Sequence, residues 1–123
     1  MRLISFAWTS DAFLEGRKTV TRRQGWKTLK AGTRLQVVRK AMGLRKGEKV
    51  ERLGVIEVLD VSRVPLDSID LEDVRREAVE GVTTPEDFVR FYALGNRCEP
   101  SSLVTRISFR PILRIRRFPR RSS

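Results

Sequence analysis

Histidine is absent from the 123-residue chain, and cysteine occurs once, at Cys98. One thiol excludes an intrachain disulfide. A lone Cys without His also excludes a typical zinc site and a Cys–His nucleophile pair. Acid–base work near neutral pH therefore falls to carboxylates, Lys, Tyr or Cys with displaced pKa values. Cys98 shows no activating partner and is read as inert. No apolar run approaches the ~18 residues of a membrane span. The opening Met1–Trp8 segment is too short for a signal peptide's apolar region and has no small-residue cleavage site. The expectation is a cytoplasmic protein off the membrane, without a metal or cofactor.

Acidic residues are outnumbered, 15 against 26 basic ones, for a net charge of +11. Such an excess suits a polyanionic partner, because each phosphate neutralised releases counterions. A bias toward arginine in the source organism would produce the same count. The charge is uneven. Asp67, Asp70, Glu72, Asp73, Glu77, Glu80, Glu86 and Asp87 gather in one stretch, whereas Val104 to the end holds seven arginines and no acid. The surface outside the acidic stretch is therefore more basic than the total implies.

The length fits one domain, expected over residues 1–110 with a basic tail over 111–123. Arg2 to Phe6 reads as a strand and Ser10 to Glu15 as a short helix, with Ser10 as cap and Gly16 in the left-handed position after it. Strands are expected over Thr19 to Arg23, Arg34 to Arg39 and Val50 to Val64, the last bent or bulged near Gly54. Gly43 to Lys49 is a basic hairpin loop. The period then changes. Asp70 caps a helix with Leu71, Val74 and Ala78 inward, ended by Gly81. Thr84-Pro85 starts a second helix, with Phe88, Phe91 and Tyr92 inward and Gly95 at its end. Leu103 to Phe109 is a closing strand, interrupted by Pro111. Strands joined by turns, with a late helical insertion, suit an α+β mixed barrel better than a doubly wound sheet.

Gly16-Arg17-Lys18-Thr19-Val20-Thr21-Arg22-Arg23 resembles the ASCH-family signature Gly-x-Lys-x-x-(Thr/Glu)-x-Arg, with Gly16, Lys18, Thr21 and Arg23 at its four fixed positions. Val79-Glu80-Gly81-Val82 followed by Pro85-Glu86-Asp87-Phe88 is similar to that family's Glu-Gly helical segment. The resemblance runs from Met1 to about Phe109. It implies a PUA-like open mixed β-barrel of about five to six strands with two or three short helices, and a cleft beside the signature loop. It also implies binding of RNA, or action on a nucleobase or modified nucleoside. Some small members deacylate N4-acetylcytidine with the motif Lys, the motif Thr and a downstream Glu. These correspond here to Lys18, Thr21 and, through the Glu-Gly alignment, Glu80, with Glu77 as the rival carboxylate.

Lys18 and Thr21 would point to opposite faces of one regular strand. For both to line one cleft, Lys18 must sit in the turn after Gly16. Thr21 would then point inward with Thr19 and Arg23, leaving Val20 and Arg22 on the other face. In the hydrolase reading Thr21 is the nucleophile and Lys18 its base, which requires a depressed Lys pKa. In the binding reading Lys18, Arg17, Arg22 and Arg23 grip phosphate or a base edge beside Gly16, while Trp8 and Trp26 offer stacking faces. Plainer alternatives stand beside these. The Lys and Arg side chains could be a solvated face, and Thr21 an ordinary strand residue. Glu80 could serve only Arg76, and both Trp residues could be partly buried core. Binding is favoured over deacylation, because the basic surface extends far beyond a nucleoside pocket. Ribonuclease action without His ranks last.

Overall fold

The computed structural model describes residues 1–40 and 45–115. Five strands form one open mixed sheet: β1 (Leu3–Ser5), β2 (Val20–Arg23), β3 (Arg34–Val38), β4 (Arg52–Pro65) and β5 (Leu103–Arg114). Their order is β1-β3-β4-β5-β2, with β1 and β3 parallel and the other neighbours antiparallel. Three helices accompany them: α1 (Ser10–Leu14), α2 (Leu71–Glu77) and α3 (Pro85–Asn96). Short 3₁₀ turns cover Ala7–Thr9 and Leu66–Ser68. The loop expected over Gly43–Lys49 falls partly, and the tail beyond Ile115 wholly, outside the described residues.

β4 and β5 are long because they serve two apolar clusters. One gathers Ile4, Phe6, Phe13, Leu35, Val37, Ile56, Val58, Ile107 and Phe109. The other gathers Leu66, Ile69, Val74, Phe88, Tyr92 and Val104 under α2 and α3. So long a pair needs bulges to curve: its register shifts at Val55/Ile56 and Val58/Asp60, and that of β3 with β4 at Val37/Val38. Beside the first, Gly54 admits the neighbouring strand: a Cβ there would stand 2.1 Å from the Leu113 carbonyl oxygen. β5 does not stop at Phe109. Ile56 pairs with Pro111 and Val55 with Leu113, so Ile112 is the extra residue. A bulge tolerates the proline's missing N–H.

Two helix caps form where their chemistry is written, but the one expected from Ser10 does not: α1 starts after Thr9 without a side-chain cap, and Ser10, its first residue, donates its hydroxyl back to the Phe6 carbonyl at 2.6 Å. Asp70 accepts from the Asp73 N–H at 2.8 Å, and Thr84 Oγ1 from the Asp87 N–H at 3.1 Å. The ends differ from expectation. α2 stops at Glu77 with Ala78 left-handed, well before Gly81, and α3 passes Gly95 to end at Asn96, with Arg97 left-handed. Leu71 is exposed, and the buried face of α2 is Asp73, Val74 and Glu77. Two carboxylates face inward because cations from the sheet meet them. Phe91 is 37% exposed and sits at the edge of the core rather than in it.

Candidate functional site: a charged cleft between the two cores

Gly16 takes φ +83°, and the Arg17 N–H turns back to the Ala12 carbonyl at 2.8 Å. The chain therefore reorients before β2 begins, and Lys18 lies in that turn. The buried Lys18 ammonium has three acceptors: Val20 O at 3.0 Å, Glu77 O at 2.8 Å and Glu77 Oε1 at 3.3 Å. It thus caps the C-terminal carbonyl of α2 as well as pairing with its last side chain. Burial pushes the Lys18 pKa down, opposed by the Glu77 charge.

Val20, Thr21 and Arg22 are all buried, so both faces of β2 are covered. Arg22 points, as alternation predicts, to the face opposite Thr21 and Arg23, and α2 covers it there. Its guanidinium reaches Glu77 Oε2 at 3.1 Å and Asp73 Oδ2 at 2.7 Å. Arg106 lies directly across the β2–β5 ladder from Arg22, and two arginines opposite each other require an anion between them. Asp73 supplies it, accepting from Arg106 Nε at 2.6 Å and Nη2 at 2.9 Å. These hydrogen bonds from Arg106, then those from Arg22, hold the Asp73 carboxyl well below the usual carboxylate range, against the opposing effect of burial.

That depression fixes a sign. A carboxyl whose pKa is lower when folded contributes stability above its unfolded value near 3.9, and loses it as pH falls toward the folded value. The urea midpoint is expected to fall from about pH 5 downward. An Asp73→Asn variant, already less stable at neutral pH, should show a shallower acid decline. Parallel decline in both proteins would remove Asp73 from the explanation.

On the other face, Thr21 and Arg23 meet Phe6. Arg23 Nε donates to Thr21 Oγ1 at 3.2 Å and its Nη2 to the Ser5 carbonyl at 2.6 Å. The Lys18 ammonium and the Arg23 guanidinium lie 5.4 and 5.5 Å from the centroid of the Phe6 ring. Among the described residues no carboxylate pairs with Arg23. A cleft of about 390 Å³ opens here, lined by Phe6, Trp8, Lys18, Thr21, Arg22, Arg23, Glu77, Phe91, Tyr92 and Asn96 among others. Trp8 stands at its margin, 83% exposed, its indole edge-on to Phe91 with centroids 6.4 Å apart.

Lys18, Thr21 and Arg23 thus line one cleft, Gly16 lies outside its lining, and the carboxylate bonded to Lys18 is Glu77 rather than Glu80. Glu80 lines a small adjoining hollow with Arg17, Asp11 and Arg39. Arg17 is exposed and holds Glu15 at 2.6 Å. Trp26 is not a cleft residue: left-handed at φ 59°, it packs against the first core with the Arg2 guanidinium 4.1 Å above its ring. Tyr92 and Asn96 also line the cleft; an aromatic at helical spacing reads as core, and nothing in the sequence around Asn96 singles it out. Among the described residues no group of three or more His, Cys, Asp or Glu could hold a metal ion. No helix among them is long and apolar enough to cross a membrane.

This architecture, an open mixed sheet with its accompanying helices, is the α+β, PUA-like fold of ASCH domains. The solved structures sharing it include a protein of Enterococcus faecalis assigned to the DUF984 family, with a TM-score of 0.61 at 18% identity over 89% of this chain and 72% of that one. The ASCH domain of Lactobacillus crispatus matches with a TM-score of 0.56 at 16% identity, over 85% and 70% of the two chains. A Zymomonas mobilis ASCH protein, crystallised as a point variant, matches with a TM-score of 0.56 at 16% identity, over 94% and 71%. No protein-family model matches the sequence, and no curated protein does.

Proposed function

We propose that the cleft binds unpaired RNA or a nucleobase, with Arg23 engaging phosphate or a base edge and Trp8 stacking on the base. The observation that carries this is the Trp8 indole, 83% exposed yet propped by Phe91, lining the same cleft as Arg23, a cation with no carboxylate partner among the described residues. A tryptophan normally gains by burying its large apolar face. One held open in a cleft whose guanidinium rests on neutral oxygens suits a ligand that is both flat and anionic. The +11 net charge supports the same class of partner.

Deacylation of an N4-acetylcytidine-like nucleoside is the weaker alternative. It needs a neutral Lys18 whose lone pair takes the Thr21 proton. The burial that lowers the Lys18 pKa favours that state. Against it, the ammonium's three hydrogens are matched by three acceptors, none of them Thr21. A lysine so placed organises the cleft as a cation. Binding therefore has the better support.

The test is titration of labelled single-stranded RNA into the full chain at low salt. Affinity is expected to fall steeply as salt rises, and Trp8→Ala to weaken binding about tenfold, in keeping with the loss of one base–aromatic stack. A duplex of the same length, with its bases stacked away, should bind more weakly. Failure to bind any single strand at low salt would sink the proposal.

A further inference from the structure

Two polar atoms in this cleft's lining residues are buried without a partner: the Tyr92 hydroxyl and Arg22 Nε. Both residues are only 5% exposed. Buried polar groups are overwhelmingly hydrogen-bonded, so each orphan calls for an explanation. Arg22 makes the contrast plain. Its other two nitrogens are satisfied by Glu77 and Asp73, and Nε alone is left over. That both orphans occur in the lining of one cleft points to a common acceptor brought in by a ligand.

Their chemistry narrows what that acceptor is. A guanidinium N–H only donates. The Tyr92 hydroxyl keeps its proton at neutral pH, since burial, followed by the nearby Cys98 and Glu77, pushes its pKa up to about 12. We infer that Tyr92 and Arg22 donate to an exocyclic carbonyl oxygen of the bound base, so that the cleft favours uracil-, cytosine-, guanine- or hypoxanthine-type bases over bases without a carbonyl. One carbonyl oxygen has two lone pairs and satisfies two donors at once. Adenine offers ring nitrogens and an amino group that itself donates, and leaves at least one orphan unpaired. The inference rests on the nucleobase-binding reading above. It adds a specificity residue, Tyr92, outside the signature motif.

The experiment compares inosine 5′-monophosphate with purine riboside 5′-monophosphate, which share phosphate, sugar and purine skeleton and differ at the C6 carbonyl and the N1 hydrogen that accompanies it. Uridine 5′-monophosphate serves as the smaller carbonyl-bearing ligand. Calorimetry on the full chain at low salt is expected to give about tenfold tighter binding of the inosine compound. Tyr92→Phe, which leaves Arg22 Nε as the remaining donor, should cut that ratio to about threefold while leaving the affinity for purine riboside 5′-monophosphate within about twofold. A merely structural tyrosine would weaken both ligands together. The chain has one tyrosine. Its ultraviolet difference spectrum in the unmutated protein therefore gives a second readout, expected with the inosine and uridine compounds and absent with purine riboside. Equal affinities for the two purines, with no tyrosine signal, would mean the orphans serve water only; the inference would fall and nucleobase binding would stand. Failure of every nucleotide and of single-stranded RNA to bind would overturn both.

Discussion

Glu77→Gln is expected to lower the unfolding free energy by about 3–5 kcal/mol, and Glu80→Gln to change it by less than about 0.5 kcal/mol. The two carboxylates are three residues apart and the same residue type. Glu77 is buried, with Oε1 on Lys18 and Oε2 on Arg22, both of them buried cations. Glutamine keeps the shape but removes the charge, and it turns one oxygen into a donor aimed at a cation. Arg22 keeps Asp73, but Lys18 is then a desolvated charge without a carboxylate, which costs more than the pair contributed over an apolar equivalent. Against a total stability of roughly 5–15 kcal/mol for a domain of this kind, the loss would be obvious in a urea midpoint. Equal midpoints for the two variants would show that the buried lattice contributes nothing.

The choice between Glu77 and Glu80 also shows where the sequence stops being informative. Caps are local chemistry, so Asp70, Thr84-Pro85 and Gly16 announce their positions, and the turn that carries Lys18 follows from Gly16. The length of α2 is not local. Its expected apolar stripe of Leu71, Val74 and Ala78 is thin, and an equally regular set, Asp73, Val74 and Glu77, competes with it. What decides is the pairing of Arg22 with Arg106 across β2 and β5, residues 84 positions apart in the chain. Two cations in cross-strand register draw the carboxylate face of the helix inward, and Lys18 fastens its last carbonyl. No periodicity in the helix records this. The i,i+4 spacing of Asp73 and Glu77 beside the one buried valine was the available hint. Similarly, Pro111 marked the end of a strand only so long as a compensating bulge at Ile112 stayed unseen.

The fold shared with ASCH domains brings Lys18, Thr21 and Arg23 together, and the charge pattern around them gives Arg23 a different standing from its neighbours. Lys18 and Arg22 have their charge balanced by Glu77 and Asp73, whereas Arg23 rests on a hydroxyl and a carbonyl. In the binding reading it is therefore the cation whose charge the ligand neutralises. Arg23→Ala is expected to weaken single-stranded RNA binding about a hundredfold, the loss of two charge-assisted hydrogen bonds from a partly desolvated fork. The slope of log affinity against log salt should become shallower by about one unit. Arg23→Lys separates charge from geometry. A point charge restores the salt slope, but without the planar fork it should recover only part of the affinity. Arg17→Ala serves as the surface control, since Arg17 is exposed and already paired with Glu15; a change of a few-fold is expected there. Arg23→Ala and Arg17→Ala losing affinity equally would mean that RNA is held by diffuse surface charge, and that the cleft plays no special part in holding it.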